Sequence, residues 1–438
     1  MPGLLSWGRY PNYPQQANSI YWTGQIRDSL LNSARNNETT LAYGNGRSYG
    51  DVCLAASNKV LSTRHLDRWI AANWETGVIT VEAGVTLGEI LSLALVKGWF
   101  LPVSPGTKFV TIGGAIANDV HGKNHHQRGT FGRYVGKLML QRSDLSEPLI
   151  CSANENQPLF SATIGGLGLT GIITAAELQL IPVKSSFIDT RQYRFANIQE
   201  FFQLSIDLDP KHEYSVAWID CVAKGNALGR GIYFVGDHAT TGSINSVIKK
   251  SLNLAFTPPF SLINQLSLKI FNQMYFQTHP TSHDLKKVYF DTFFYPLDRI
   301  QQWNRIYGPK GFQQYQCVIP EANAEDAIKD IITIIAKSGH GSFLVVLKRC
   351  GNLVSPGLLS FPLPGISLAL DFPEQGNKNK ALFQKLDQIL RVSLGRIYPA
   401  KDAHMSGEDF RKAYPQWEAL EKMRDPILLS HFWQRVTQ

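Results

Sequence analysis

The sequence predicts an α+β protein with at least two domains. Its 438 residues exceed the roughly 250–300 at which a single hydrophobic core stops growing. Residues 38–100 alternate short strand and helix patterns, whereas the chain after Pro182 shows several strand-like runs around one long helical pattern. The composition, 44% apolar and 18% charged, is typical of a chain that folds into globular domains.

The first region combines regular elements with glycine-rich segments. Val78–Val81 predicts a strand, and Thr86 with Glu89 predicts a capping box that begins a helix closed by Gly98. The segment from Phe100 to Gly136 is so rich in Gly, Pro and His that it predicts a functional loop. A second glycine cluster, from Thr163, leads into a β-branched run that ends at Pro182, where we place the first domain boundary.

The second region predicts a sheet with helices on one face. Its strand-like runs are EYSVAWIDCV, KKVYFDTFFYP, SFLVVLKRC and GISLALDF. Helical patterns cover residues 322–337 and 378–394, and Gly395 is expected to close the second helix. This order of strands and helices is typical of a separate α+β unit.

One segment of the second region contains no acid. Between His238 and His283 there is no Asp or Glu, and Leu262, Leu266, Ile270 and Met274 recur at intervals of four residues, joined by Ile263, Phe271 and Tyr275. Such a stripe is typical of core packing. The missing acids and the Pro258-Pro259 pair leave open a mobile apolar lid or a contact of residues 238–283 with a membrane surface.

Charge and cysteine content exclude several classes of protein. The net charge of +8 is spread along the chain without long basic runs, which favours a solvated basic surface over a nucleic-acid interface. The five cysteines are scattered and never in CxxC spacing, which disfavours a disulfide framework and a zinc site. The first residues lack a signal-peptide pattern and no window of about 18 apolar residues occurs, so we expect a cytoplasmic protein, with peripheral contact to the inner membrane surface as the alternative.

Three glycine-bearing loops predict a long bound ligand with a central diphosphate. Gly44, Gly46 and Gly50 follow a predicted strand, and glycine lets backbone N–H groups approach an anion closely. A dinucleotide-binding Rossmann loop would need glycine where Tyr49 stands, so that motif does not fit. Two further glycine-rich loops, near Gly113 and Gly168, support the same prediction.

His121 and His125 are spaced like metal ligands on a helix, but the neighbouring glycines disfavour a helix there. We therefore expect no metal, and we expect the two histidines to line a cleft.

Motifs along nearly the whole chain resemble one family of flavoproteins. They are SWGRYP, NGRSYGD, SPGTKFVTIGGAIANDVHGKNHH, GTFG, GGLGLTGIIT, EYSVAWID, GFQQYQ, SFPLPG, LALDFP and GRIYPAKD. Together they resemble the vanillyl-alcohol-oxidase type of FAD-binding fold, most closely its decaprenylphosphoryl-β-D-ribose 2′-oxidase branch. The resemblance implies a two-subdomain FAD-binding domain over residues 1–186, an α+β substrate-binding domain with an antiparallel sheet over 187–394, and a return to the first domain over 395–438.

The resemblance also implies how FAD is held. Related oxidases that bind flavin covalently carry histidine where Arg47 stands, and the loop 104–126 contains no cysteine, so the expected cofactor is non-covalent FAD. The positions that match the family's cofactor site are Ala42, Tyr43, Gly44, Asn45, Gly46, Arg47, Ser48, Tyr49, Gly50, Asp51, Gly106, Thr107, Thr111, Ile112, Gly113, Gly114, Asn118, Asp119, Val120, His121, Gly122, Ile173 and Tyr398.

The implied substrate site lies over the flavin. Its matching positions are Lys123, Trp218, Gln314, Gln316, Lys348 and Asp371, beside Tyr49, His121 and Tyr398. Lys401 matches the catalytic position, where a lysine can stabilise negative charge on the flavin or move a hydroxyl proton. Outside this motif, Lys401 would be interpreted as a surface lysine paired with Asp402. Ala369 stands where the drug-targeted family members carry a cysteine.

The implied reaction is oxidation of a sugar carbinol, with hydride passing to FAD. The expected substrate is a polyprenyl-phosphoryl-β-D-ribose whose 2′-hydroxyl becomes a ketone, the oxidative half of an epimerisation in cell-envelope biosynthesis. A short-chain NAD(P)H reductase is then the expected functional partner, and either oxygen or a quinone could reoxidise the flavin. Two alternatives stay open: a soluble polyol or aldonolactone oxidase of the same fold, and a flavin-binding scaffold without catalysis.

Overall fold

The computed structural model describes residues 3–245 and 251–438, and it confirms the α+β class. The part up to residue 186 contains a three-stranded parallel sheet in the order β1-β3-β2 and a five-stranded antiparallel sheet in the order β4-β5-β9-β7-β8, while β6 pairs with β10. The strands are β1 Gln16–Ser19, β2 Ala42–Tyr43, β3 Lys59–Ser62, β4 Trp69–Asn73, β5 Val78–Glu82, β6 Trp99–Phe100, β7 Val135–Gln141, β8 Leu149–Ser152, β9 Ile172–Gln179 and β10 Ile181–Pro182. The helices are α1 Gly24–Arg35, α2 Leu87–Ala94, α3 Ile112–Ala117, α4 His125–Arg128 and α5 Gln157–Thr163.

The rest of the chain builds one large antiparallel sheet in the order β15-β11-β13-β12-β18-β19-β17-β20. Its strands, together with the short pair β14 and β16, are β11 Phe187–Phe195, β12 Tyr214–Ile219, β13 Gly231–His238, β14 Leu252–Asn253, β15 Ser282–Tyr289, β16 Ile300–Gln301, β17 Phe312–Pro320, β18 Val345–Cys350, β19 Gly365–Pro373 and β20 Arg396–Ile397. The helices are α6 Ile198–Leu208, α7 Gln265–Thr278, α8 Phe290–Phe294, α9 Glu321–Ser338, α10 Asn377–Val392, α11 Gly407–Ala413, α12 Trp417–Met423 and α13 His431–Thr437.

Alternation along these strands gives the large sheet two different faces. Because successive side chains point to opposite sides, Tyr315 and Cys317 of β17 enter the core against α9 and α10, whereas Gln314 and Gln316 face the other way. The same holds in β19, where Leu368 and Leu370 are core residues and Ala369 faces a cavity. The apolar half of each strand therefore anchors the sheet, and the other half lines the cavity.

Several local elements follow the sequence patterns, and three differ. The Thr86–Glu89 capping box is present, and Gly98 ends the helical segment with φ of 82°. The glycine-rich segment 100–136, expected to be a loop, contains the short helices α3 and α4. The run after β15 turns into α8 at Phe290 instead of continuing as a strand.

The end of α10 was predicted at Gly395 but lies at Val392. The left-handed residue after this helix is Leu394, with φ of 57°, rather than the glycine. Gly395 is needed for a different reason: a Cβ there would collide with the Leu390 side chain and approach the Val318 carbonyl at 2.9 Å. The glycine therefore allows close packing of two elements, and does not serve as the helix cap.

The core prediction for the apolar stripe on α7 is wrong. Leu266, Ile270 and Met274 are 68%, 52% and 59% exposed. The inward face of α7 instead carries Leu268 and Asn272, whose amide donates to Asp220 Oδ1 at 2.8 Å. The inward face of the helix therefore includes a polar residue with a buried partner, and the predicted stripe lies on the exposed side. Residues 246–250 of the acid-free segment lie outside the described residues.

The C-terminal segment returns to the first part of the chain. Leu428 forms a bridge with Thr40 and Ser430 with Ala55, and Phe432 and Trp433 of α13 are buried in a cluster that includes Val52. The segment does not leave the large sheet at once, because β20 pairs with β17. Among the described helices, none has the length and hydropathy that a membrane span needs.

Candidate active site

A cavity of about 960 Å³ lies between the glycine loops and the open face of the large sheet. All three glycine-bearing stretches reach it, the third through Gly168 and Gly171. The predicted site residues that line it are Ala42, Gly44, Asn45, Gly46, Arg47, Ser48, Tyr49, Gly106, Thr107, Thr111, Gly113, Gly114, Asn118, Val120, His121, Gly122, Lys123, Ile173, Trp218, Gln314, Gln316, Lys348, Tyr398 and Lys401. The structure thus brings together loops that are far apart in sequence.

Six predicted site residues do not line the cavity: Tyr43, Gly50, Asp51, Ile112, Asp119 and Asp371. Tyr43 and Ile112 belong to hydrophobic clusters. Asp51 is paired with Arg435, and a Cβ at Gly50 would collide with the carbonyl of Asp402. These positions brace the cavity wall from behind.

The two remaining aspartates are buried hydrogen-bond acceptors outside the cavity lining. Asp119 is fully buried and accepts from the backbone N–H of Gly132 at 2.8 Å and from Ser355 and Ser360. Asp371 accepts from the amide of Gln314 at 2.5 Å, and burial raises the pKa of its carboxyl to about 7. Neither carboxyl lines the cavity; each holds polar groups in the layer of residues behind or beside the cavity wall.

The glycine-loop end of the cavity fits an extended, anionic ligand. A Cβ at Gly106 would meet no described atom within 4 Å, because this glycine faces the cavity. The Oδ1 atom of Asn118 and Nε of Arg47 are buried without a hydrogen-bond partner among the described residues. Arg47 also lies 4.2 Å from the centre of the Trp7 ring and 5.0 Å from that of Phe109. Space without side chains and unpaired polar groups are what a bound dinucleotide would use.

Three lysines converge at the sheet end of the cavity. Lys401 Nζ stands 3.5 Å from the centre of the Tyr49 ring, Lys348 donates to the Gly122 carbonyl at 3.2 Å, and Lys123 contacts the Phe293 carbonyl. Burial lowers the pKa of Lys401 and of Lys123 to about 7 and that of Lys348 to about 8. Lys401 makes no ion pair with Asp402, which instead binds Arg435 and His404.

His121 presents an unused hydrogen-bonding atom beside these lysines. Gln316 Nε2 lies 3.3 Å from His121 Nε2, and burial keeps the pKa of the imidazole well below its usual value. A neutral ring that accepts from Gln316 carries its proton on Nδ1, and Nδ1 has no partner within the described part of the chain. His125 accepts from the Gly351 N–H through Nδ1 at 3.1 Å, so the two histidines face different partners.

The sequence patterns missed most of the aromatic lining. Phe109 and Trp7 stand at the glycine-loop end, Phe234 lies on the sheet itself, and Tyr275 and Phe293 stand over the sheet. Trp7 is part of SWGRYP, so its motif could have indicated a site residue. Tyr275 and Phe293 belong to α7 and α8, and which residues of these helices meet the sheet depends on tertiary packing.

Comparisons with known proteins agree with this geometry. The family described as FAD binding domain matches residues 23–141. Decaprenylphosphoryl-beta-D-ribose oxidase of Mycolicibacterium smegmatis is 34% identical over 97% of this chain and 94% of its own length. An uncharacterised protein of Streptomyces coelicolor is 30% identical over 78% of the chain and 96% of its own length. L-gulonolactone oxidase of Mus musculus is 25% identical over 46% of the chain and 45% of its own length.

Proposed function

Since the chain belongs to the decaprenylphosphoryl-β-D-ribose oxidase family and is a FAD-dependent oxidoreductase, we propose that it oxidises the 2′-hydroxyl of a polyprenyl-phosphoryl-β-D-ribose. The observation that carries this proposal is the group of three half-buried lysines, Lys123, Lys348 and Lys401, at one end of the cavity. Lys123 and Lys348 have no ion-pair partner among the described residues, which suits a substrate that brings its own phosphate charge, and Lys401 is then available to act on the sugar hydroxyl.

The residues of the site divide into two roles under this proposal. FAD, when bound, supplies the acceptor for the hydride that leaves the sugar carbon. Lys401, whose pKa is lowered to about 7 by burial, accepts the hydroxyl proton as the neutral amine. Lys123 and Lys348 hold the phosphate, and Gln314, Gln316 and the Nδ1 proton of His121 orient the sugar hydroxyls.

The direct test is anaerobic reduction of the bound flavin. Purified protein is mixed without oxygen with farnesyl-phosphoryl-β-D-ribose, with a free alditol or with L-gulonolactone, and the loss of flavin absorbance is followed. We expect rapid bleaching by the phosphorylated ribose alone. Bleaching by the alditol or the lactone alone would favour a soluble polyol or aldonolactone oxidase and overturn the proposal. Bleaching by none of them would support a scaffold.

Gly106→Val tests the cofactor cradle. The added side chain would enter space next to the cavity that no described atom occupies, so we expect the protein to fold and its FAD affinity to fall by about tenfold, which corresponds to ~1.4 kcal/mol. The measurement is FAD binding by fluorescence titration of the apoprotein. Gly24→Val is the matched control, because a Cβ at this N-terminal position of α1 also meets nothing within 4 Å. Equal losses in both variants would place Gly106 outside the cofactor site.

Lys123→Met tests phosphate recognition. A hydrogen bond to a charged group contributes about 1.5–3 kcal/mol, so we expect KM for the phosphoryl-ribose to rise about 10- to 100-fold with a much smaller change in kcat. Steady-state kinetics at several salt concentrations measures this effect, and the salt dependence of KM should weaken in the variant. A lower kcat with an unchanged KM would contradict a binding role for Lys123.

We also propose that the exposed apolar face of α7 contacts a membrane surface. Leu266, Ile270 and Met274 project outward, and the surrounding segment from His238 to His283 has no acid that anionic lipids would repel. The protein should float with vesicles that contain anionic lipid. The variant Leu266→Glu should float less, and flotation that is unchanged by this variant would contradict the proposal.

The reaction product also points to a functional partner. A 2′-keto sugar must be reduced from the opposite face to complete an epimerisation, and we propose that a short-chain NAD(P)H reductase performs that step. Coupled assays with such a reductase should convert the phosphoryl-ribose to its 2′-epimer. Accumulation of the keto sugar despite an active reductase would contradict this pairing.

A further inference from the structure

Side chains on one face of the large sheet form the floor of the cavity, in short cross-strand rows that join along β12 and β11. In the paired register, Gln316 lies opposite Ala369, Ala369 opposite Val346, and Val346 opposite Trp218. Farther along the sheet, Val216 lies opposite Phe234, Phe234 opposite Gln192, and Thr190 opposite Lys286. All of these residues line the same cavity.

The register gives the cavity its shape. The floor residues span seven neighbouring strands, from β17 to β15. Neighbouring strands lie about 4.8 Å apart, so the floor is roughly 29 Å long across the sheet. A flavin ring and one sugar would cover only part of such a length. The cavity is therefore a trough with room for an elongated ligand.

The chemistry of the trough changes along its length. The end at β17, β19 and β18 carries Gln314, Gln316, Ser367 and Lys348, together with Lys401. Beyond Trp218, whose indole donates to the Phe343 carbonyl at 2.9 Å, the floor carries Val216 and Phe234, and then Gln192, Thr190 and Lys286 toward the edge strand β15. The polar end at β17 to β18 can hold a phosphorylated sugar, while the middle of the floor, at Val216 and Phe234, is suited to hydrocarbon.

The roof over this middle part is also aromatic. Tyr275 of α7 lies 4.7 Å, between ring centres, from Trp218, and Phe293 of α8 also lines the trough. The trough reaches the surface at the edge strand β15, where Lys286 is exposed and lines the cavity. The described walls thus lead from the lysines to an opening at the other edge of the sheet.

We propose that the middle of the trough, formed by Val216, Phe234, Tyr275 and Phe293 (the chain groove), binds the proximal part of the polyprenyl tail. This inference rests on the proposed function and extends it to the lipid moiety. The sugar phosphate sits at the lysines, the first prenyl units lie in the chain groove, and the rest of the tail leaves past Lys286. Substrates are thereby selected for a tail as well as for a sugar.

The experiment measures binding rather than turnover, so that it stands apart from the oxidation reaction. FAD-loaded protein is titrated calorimetrically with inorganic phosphate, geranyl phosphate and farnesyl phosphate. We expect affinity to rise from inorganic phosphate to geranyl phosphate and again to farnesyl phosphate. Phe234→Ala should weaken farnesyl phosphate binding about tenfold and leave inorganic phosphate binding unchanged. Leu285→Ala, which truncates an exposed apolar side chain on the edge strand β15, should change neither.

Two results would overturn the inference: equal affinity for all three ligands, or unchanged farnesyl phosphate binding in Phe234→Ala. Val216→Ser, across the strand pair from Phe234, repeats the test with a smaller change if the first variant does not fold. Failure of the proposed function has a different outcome. In that case farnesyl phosphate binds with the expected chain-length dependence, but phosphoryl-ribose does not bleach the flavin.

Discussion

Lys401→Met is expected to slow reduction of the flavin by substrate about 10³-fold, while the protein keeps its FAD. A positioned proton acceptor contributes roughly 10²–10⁴-fold to rate, and methionine preserves the length of the side chain but has no basic nitrogen. Lys401 Nζ lies against the Tyr49 ring at the sheet end of the cavity. Stopped-flow reduction under anaerobic conditions gives the rate, and the absorbance spectrum gives the flavin content.

Lys412→Met is the matched control for this variant. Lys412 is a surface lysine whose partner is Glu408, with both side chains 72% exposed, so its loss should change the reduction rate less than twofold. If Lys401→Met reduced its flavin at the normal rate, the catalytic assignment would be wrong. If it lost FAD as well, the residue would belong to the cofactor site.

The pH dependence separates the two roles of Lys401. Burial lowers the pKa of Lys401 well below that of a free lysine, although Asp371 opposes the shift, so the neutral amine becomes accessible near neutral pH. A proton acceptor then gives a reduction rate that rises with pH in the neutral range and levels off, and this rise should be absent from Lys401→Met. A rate that falls over the same range would instead assign Lys401 the role of a cation that stabilises charge on the flavin.

Local patterns predicted much of the fold because their determinants are close in sequence. The Thr86–Glu89 capping box requires only neighbouring residues, and it is present. The run GISLALDF likewise predicted a strand from neighbouring residues alone, and it forms β19. Periodicity failed on α7, because the face that turns inward depends on contacts far away in sequence, such as that of Asn272 with Asp220.

The sequence predicted which loops form the site, but not the shape of the cavity between them. Motifs indicated which segments meet, yet they could not separate cavity-lining residues from residues that brace them, as with Asp119 and its serine donors. The chain groove was not visible in sequence either. Val216 and Phe234 are ordinary strand residues, and only the register between β12 and β13 places them opposite each other on the cavity side.

The largest expected effect on stability comes from Arg435→Met in α13. Arg435 Nε and Nη2 donate to the two oxygens of Asp51 at 3.0 and 2.9 Å, and Nη2 also donates to Asp402 Oδ2 at 2.9 Å. Asp51 and Asp402 are buried. Burial alone would raise the pKa of Asp402, but the positive charges of Arg435 and His404 outweigh it and lower the pKa. Removing the arginine leaves two buried carboxylates poorly compensated, which costs about 3–5 kcal/mol.

Loss of Arg435 should also disturb the active site, because Asp402 directly follows Lys401 and Asp51 ends the first glycine loop. Urea unfolding at saturating FAD measures the free energy of unfolding. Arg391→Met is the control: its guanidinium binds Asp409 through two contacts of 2.6 and 2.8 Å but is 53% exposed, so its loss should cost no more than about 1 kcal/mol. Equal losses of unfolding free energy in the two variants would mean that burial does not strengthen the ion pairs of Arg435. The stability that Asp402 contributes is present above the carboxyl's unfolded pKa and is lost as pH falls, so the gap between wild type and Arg435→Met should narrow in acid.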